Sequence, residues 1–251
     1  MEIDKTLVER QFSRAACTYD KNAVIQHGIA ENLMKLIRMN AGKGDSRRIM
    51  ELGAGTGYFS RMLYEEMKPE QMYVNDISSE MLNVCMSSLR YGNVQAVAGD
   101  AEMMDFPFQV DMIASCSVIQ WFNDQQTHFG LCHDVLDDDG LLAFATFGPD
   151  NMKEVRSVSG KGLRYYSLND YCGMLSEYEV VCMQNEKYEL HFDTPADVLR
   201  HMKNTGVNSI SGGGLGMKGI HDFCRLYEDC FGHDGRVPLT YDVIYCLARK
   251  K

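Results

Sequence analysis

The chain has 251 residues, with 25 Lys and Arg against 35 Asp and Glu, and a formal net charge of −10 that disfavours non-specific binding to nucleic acid. Hydrophobic residues make up 45% and charged residues 24%, an ordinary balance for a globular chain able to bury a large core as one elaborated domain. No apolar run approaches membrane-spanning length, no basic-plus-apolar N-terminal segment suggests export, and nine scattered cysteines without a C-x-x-C pair fit reduced thiols in a cytoplasm better than a disulfide frame or a zinc site. Seven histidines without H-E-x-x-H or comparable spacing give no reason to expect a metal.

Residues 1–45 read as helical. Leu7, Phe12, Ala15 and Tyr19 recur at helical spacing, and Ile25, Ile29, Leu33 and Leu36 form a longer amphipathic stripe. Phe12 and Tyr19, two turns apart, are expected to share one face, with Phe12 packed down and the Tyr19 hydroxyl reaching toward a ligand.

The run Ile49-Met50-Glu51-Leu52 is a short apolar strand carrying an acid near its end, followed by Gly53-Ala54-Gly55-Thr56-Gly57 and a helical segment from Phe59 to Met67. Alternate glycines turn the chain tightly and let backbone N–H groups approach a ligand. A carboxylate just before them repels phosphate and attracts a cation. That combination suits S-adenosylmethionine (SAM), with its amino group and sulfonium, better than a dinucleotide. Tyr58 also stands where the dinucleotide fingerprint would place its third glycine. The alternative is a tight strand–helix turn with no ligand.

Met72–Asp76 forms a second strand ending in an acid, with Asp76 placed to accept from both ribose hydroxyls and Ile77 beside it. Ser78 is the expected N-cap of the next helix, which buries Met81 and Leu82. A third strand begins at Val94 and leads to Asp100-Ala101-Glu102, where Asp100 is expected to accept from the adenine amino group and Ala101 to donate a backbone N–H. The three acids Glu51, Asp76 and Asp100, in order at strand ends, strengthen one another as a SAM signal. Val110–Cys116 is the fourth strand; Ser115, Cys116 and Ser117 are expected to line the methionine side of the cofactor. Thr127–Leu136 reads as a helix, and Leu141–Phe147 as a fifth strand after the turn at Asp139-Gly140. This alternation implies a parallel sheet covered on both faces.

Gly148–Leu163 is polar and punctuated by glycine. Ser167–Leu175 reads as a helix capped by Ser167, Tyr178–Leu190 as a long strand, Pro195–Lys203 and Lys218–Phe231 as helices around a mobile loop at Asn208–Gly216, and Leu239–Ala248 as a closing strand of alternating character. The expected organisation is a single domain over 1–251: a helical cap (1–45), a core sheet (46–190 and 236–251) and a helical insertion (191–235), acting either as a lid over the cofactor or as a solvent-facing ornament.

Phe12-Ser13-Arg14-Ala15-Ala16-Cys17-Thr18-Tyr19-Asp20, Gln26, Glu51-Leu52-Gly53-Ala54-Gly55-Thr56-Gly57, Ile119-Gln120-Trp121, Leu199-Arg200-His201-Met202-Lys203-Asn204-Thr205-Gly206 and Pro238-Leu239-Thr240-Tyr241 together resemble the malonyl-acyl-carrier protein O-methyltransferases of biotin synthesis, within the class I SAM-dependent methyltransferases. The resemblance covers nearly the whole chain, although Gly148–Leu163 looks short for the family. It implies a Rossmann-like α/β fold, a seven-stranded, mostly parallel sheet with an antiparallel last strand. It also implies methyl transfer from SAM to the free carboxylate of a malonyl thioester on an acyl-carrier protein, or on coenzyme A. A cytoplasmic monomer, with no nucleic-acid or membrane partner, is the accompanying expectation.

A free carboxyl titrates near ~4 and is already ionised, so this reaction needs no general base. Arg200 and Lys203, three apart on one helix, are expected to hold the acceptor carboxylate, the alternative being a solvated surface pair. Tyr19 is expected to reach either the SAM carboxylate or the substrate. Gln120 is placed at the acceptor pocket, with Trp121 either beside it or in the core. Lys153, Arg156, Lys161, Arg164 and Lys218 are candidates for docking an acidic carrier, unless they are merely a solvated loop. Two other readings remain open: a methyltransferase with a diffusing small-molecule acceptor, and a non-catalytic SAM-binding adaptor.

Overall fold

The alternation of apolar runs and amphipathic stretches becomes a seven-stranded sheet in the computed structural model, which describes residues 2–42, 47–104, 108–207 and 216–251. The strands are β1 (Arg48–Leu52), β2 (Gln71–Asp76), β3 (Val94–Ala98), β4 (Val110–Cys116), β5 (Leu136–Phe147), β6 (Tyr178–Phe192) and β7 (Val237–Lys250). They lie in the order β3-β2-β1-β4-β5-β7-β6, and β7 runs antiparallel to both of its neighbours while the other pairings are parallel. The order reverses between β1 and β4, the point at which open α/β sheets leave a crevice beyond their carboxyl ends.

Alternation along the inner strands divides the core. Ile49 of β1 and Met112 and Ala114 of β4 face one side, where Ile29, Leu33 and Ile37 of α3 (Val24–Asn40) and Leu63 of α4 (Tyr58–Met67) cover them. Met50, Leu52 and Ile113 face the other, against Phe129 of α6 (Gln125–Val135) and Tyr171 of α8 (Leu168–Met174). Helix α5 (Ser79–Ser88) starts where expected: the Ser78 hydroxyl accepts from Met81 N at 3.1 Å. Ser167 caps α8 in a reciprocal capping box with Asp170.

The structure departs from the sequence expectations in four places. The N-terminal helix is broken: α1 (Lys5–Ala15) ends before a turn, and Tyr19 opens the separate short α2 (Tyr19–Asn22). Phe12 and Tyr19 still meet, with ring centroids 6.4 Å apart, but through the turn between helices rather than through a shared helical face. The stretch 148–163 contains α7 (Lys153–Ser159), held by tertiary contacts: Val155 is buried, and the buried Glu154 carboxylate accepts from Thr240 N and Thr240 Oγ1. Strand β5 begins at Leu136 instead of Leu141, crossing the Asp139-Gly140 segment with Asp139 at φ 64°. Strand β7 is buried on both faces rather than alternating, because it lies inside the sheet between β5 and β6.

Between β6 and β7 the chain forms α9 (Pro195–Asn204) and α10 (Met217–Phe231). Their Val198, Met202, Phe223 and Tyr227 join the core on the same side as Ile29 and Leu33. The expected loop at 208–216, apart from Gly216, lies outside the described residues.

Glycine is required at position 53. Its φ is +69°, and a Cβ there would sit 2.1 Å from Val118 Cγ2. Gly53→Ala is therefore expected to cost about 2–4 kcal/mol of stability, from strain plus overpacking. Adding Val118→Ala should recover only the packing part of that loss. Chemical denaturation measures both variants, and a wild-type midpoint for Gly53→Ala would contradict the requirement.

Candidate active site

A cleft opens beyond the carboxyl ends of β1, β2 and β4, the place where open α/β sheets bind ligands. Its floor is backbone. Gly53, Gly55 and Gly57 have φ of +69°, +56° and +90°, so the chain leaving β1 folds back on itself before α4 begins. Ala54 N donates to Asn75 O at 2.7 Å, pinning this turn to β2. Tyr58, where a dinucleotide fold would carry glycine, stacks on His27 of α3 with ring centroids 3.8 Å apart.

Asp76 at the tip of β2 organises the cleft. Its Oδ2 accepts from Gly55 N and its Oδ1 from Ser78 N, each at 2.8 Å. A carboxylate offers about four acceptor sites, so capacity remains for a ligand diol. Burial pushes its pKa up to about 6, against the lowering effect of these N–H groups. Glu51 is more extreme: it is 1% exposed, its Oε2 has no hydrogen-bond partner, and burial pushes its pKa up to about 8. A buried carboxylate in this state is stabilised by an arriving positive charge. Glu51 does not line the cleft but is buried behind the glycine turn, with Oε2 left without a partner; the glycine cradle, this oxygen and the spare acceptor sites on Asp76 fit a ligand that combines a ribose with a cationic group.

The other expected cofactor residues divide into two groups. Gly53, Gly55, Asp76, Ile77, Met81, Asp100, Ala101 and Cys116 line the cleft. Ala54 and Gly57 shape the turn without lining it, and Ser115 is fully buried behind the surface. Glu102 is turned away from the cleft: its Oε1 accepts from Asp124 N at 2.6 Å and its Oε2 pairs with Lys5 Nζ at 2.5 Å. The Cys116 thiol is pushed by burial up to about 12, so it is a neutral wall rather than a nucleophile.

Of the expected catalytic residues, only Tyr19 lines the cleft. Burial, helped by nearby Cys116 and Asp76, drives its pKa well above the ordinary value and keeps the hydroxyl protonated as a donor. Gln120 is buried with both ends engaged, donating to Ser117 O at 2.6 Å and accepting from Thr146 Oγ1 at 3.2 Å. Arg200 and Lys203 are not brought to the cleft: α9 turns Val198 and Met202 to the core, while Arg200 is exposed and paired with Asp197 at 2.5 Å and Lys203 is exposed. Among the expected docking cations, Arg156 donates to Pro149 O and lies over the Tyr165 ring, and Arg164 lies over Tyr166.

Sequence reasoning missed Lys5, Val8, Asn75, Val118 and Phe122, all of which line the cleft. Lys5, Val8 and Phe12 share the inner face of α1 at helical spacing, a pattern legible once α1 is known to lie across the opening. Asn75 holds the β3 end by donating to Val97 O and Gly99 O, each at 2.9 Å. Among the described residues no group of three or more His, Cys, Asp or Glu is placed to hold a metal ion, and no helix is long and apolar enough to cross a membrane.

Residues 50–144 match a family model described as a methyltransferase domain. A malonyl-acyl-carrier protein O-methyltransferase of Bacteroides thetaiotaomicron is 35% identical over 99% of this chain and 99% of its own length. One from Bacteroides fragilis is 37% identical over 98% of this chain, which spans only 51% of that longer protein. Among solved structures, the YcgJ protein of Bacillus subtilis shares the fold, with a TM-score of 0.61 at 17% identity over 88% of this chain and 99% of that one.

Two outcomes are expected. Asp76→Ala should weaken SAM binding by about 1–3 kcal/mol, the cost of leaving ribose hydroxyls without an acceptor; unchanged affinity in calorimetry would remove the ribose assignment. SAM binding near pH 7 should also release protons. Glu51, with a pKa of about 8 in the free protein, is mostly protonated there, and an incoming cation lowers that pKa. Calorimetry in buffers of different ionisation enthalpy reads this release, and Glu51→Gln should diminish it; proton uptake on binding would contradict the assignment.

Proposed function

Because the chain belongs to the malonyl-acyl-carrier protein O-methyltransferase family, we propose that it transfers the methyl group of SAM to the free carboxylate of a malonyl thioester carried on an acyl-carrier protein. The resulting methyl ester hides a charge that fatty-acid enzymes would otherwise reject, and so primes pimeloyl synthesis for biotin. The observation that supports this reading best is that the relatives match the chain from end to end: α1, the cleft and the inserted helices all fall within the matched length.

SAM supplies an activated methyl whose leaving group is a neutral thioether. The residues of this chain have to bind, orient and exclude water. Asp76 is assigned to the ribose hydroxyls, Asp100 with the Ala101 backbone N–H to adenine, and Glu51 to the positive end, with Gly53 and Gly55 providing close backbone approach. The acceptor is a carboxylate, ionised at neutral pH, so its oxygen attacks without a base. Alignment of oxygen, methyl carbon and sulfur in a dry site then supplies most of the acceleration. Tyr19 is assigned to donate to a carboxylate, since its hydroxyl stays protonated and the residue lines the cleft. Trp121 and Phe12, edge to face with centroids 5.7 Å apart, help to exclude water.

The N-terminal segment and the insertion are read as one cover. Gly206, just beyond α9, has φ +73° and sits so close to Phe12 that a Cβ there would lie 2.9 Å from that ring. Asn204 Nδ2 donates to Asn22 Oδ1 at 3.2 Å. Arg200 and Lys203 are assigned to the approach of the acidic carrier and its acyl carboxylate. For Arg200 to grip that carboxylate it must first leave Asp197.

Mass spectrometry of a malonyl carrier protein incubated with the enzyme and SAM tests the reading. The expected result is the gain of one methyl on the acyl group, faster than on malonyl-coenzyme A. Tight SAM binding with no methyl gained on either thioester would contradict it and favour a SAM-binding adaptor.

A further inference from the structure

Glu102 stands next to Asp100, yet its side chain turns to Lys5 near the start of α1. The ammonium of Lys5 lies 2.5 Å from Glu102 Oε2 and 3.4 Å from Asp100 Oδ1, and 4.9 Å above the ring of buried Phe122. The pair is largely withdrawn from water, with side-chain exposures of 21% for Lys5 and 8% for Glu102. The other oxygen of Glu102 is fixed by Asp124 N at 2.6 Å. Asp100 Oδ1 also accepts from Glu102 N at 3.1 Å, while no described residue donates to Oδ2.

Helix α1 is fastened at both ends. Before it, Ile3 N donates to Asn123 Oδ1 at 2.6 Å. Near its other end, Ser13 Oγ donates to Glu80 Oε2 at 2.7 Å and lies 2.9 Å from Ser78 Oγ. Between these points Lys5, Val8 and Phe12 face the cleft. Lys5 is the charged contact on this inner face, and it acts on the acid assigned to adenine.

We infer that Lys5 is a cofactor-positioning residue: by bridging Glu102 and Asp100 it fastens α1 over the adenine end of the cleft and orients Asp100 so that Oδ2 is left for the adenine amino group. This rests on the SAM reading above. It reassigns Glu102 from cofactor ligand to anchor of the covering helix. An uncompensated carboxylate as buried as Glu102 is costly, so the pair resists opening more than an exposed ion pair would.

The test uses the full chain and three variants: Lys5→Met, which keeps the apolar stem; Lys5→Arg, which keeps the charge; and Glu102→Gln, which removes the anchor's charge without touching Lys5. Calorimetry gives the affinity for SAM, and competition with adenosine and purine riboside gives the preference for the 6-amino group. Hydrogen exchange over residues 5–15 reads the covering helix, and thermal melts check folding. Lys5→Met and Glu102→Gln are each expected to weaken SAM binding about five- to tenfold, to narrow the adenosine preference and to reduce SAM-dependent protection of α1, with Lys5→Arg close to wild type. Wild-type affinity and preference in either folded charge-removing variant would overturn the inference. Weaker affinity with an unchanged adenosine preference would overturn the orienting role of Lys5. A wild-type protein that binds no SAM would instead sink the cofactor reading itself.

Discussion

One carboxylate ties the site to the sheet. Asp76, at the tip of β2, accepts from Gly55 N in the turn after β1 and from Ser78 N at the head of α5, each at 2.8 Å. It thus fixes the separation of two strand ends before any ligand arrives. The geometry is possible only because Gly53 and Gly55 take positive φ, which brings the backbone back toward β2. A site whose donors and acceptors are already held in place loses less on binding than one that must be ordered. The cost is electrostatic: burial raises the pKa of Asp76 to about 6 and that of Glu51 to about 8. Two carboxylates made this reluctant to ionise favour a ligand that brings positive charge, which couples the apolar core to the choice of cofactor.

The cover over this site comes from parts of the chain far apart in sequence. Helix α1 contributes Lys5, Val8 and Phe12; the short α2 contributes Tyr19; and the chain just beyond α9 sets Gly206 against Phe12. Asp20, next to Tyr19, accepts from the hydroxyl of Thr56 in the glycine turn. The segment that roofs the cleft is therefore bonded to the segment that floors it. Methyl transfer to a carboxylate calls for little proton chemistry, and the molecule correspondingly invests in enclosure: neutral Tyr19, neutral Cys116 and a ring of apolar side chains.

Much of this was legible in the sequence, for a physical reason. Strands buried on both faces read as continuous apolar runs, and acids at their ends stand out against them. Hence β1, β2 and β4, with Glu51 and Asp76 on the first two, were readable without coordinates, as were Asp100 just past β3 and the Ser78 cap. What escaped depends on tertiary contact. Helix α7 has little local signature because Glu154 earns its place through Thr240, 86 residues away. The break between α1 and α2 falls in Ala16-Cys17-Thr18, where no glycine or proline announces it. Residue type suggested Arg200 as a carboxylate clamp, but the direction of its side chain is set by Val198 and Met202 packing inward. Lys5 was overlooked because its partners lie some 95 residues away.

The central claim is that acids at three neighbouring strand ends, beside a glycine turn, hold an adenosyl ligand with a cationic end. A crystal structure grown with SAM tests this most directly. The account predicts ribose hydroxyls on Asp76, the adenine amino group on Asp100 and the positively charged end toward Glu51, with α1 laid across the ligand. An adenosyl ligand bound elsewhere, or one in the cleft that leaves Asp76 bonded only to Gly55 and Ser78, would contradict it.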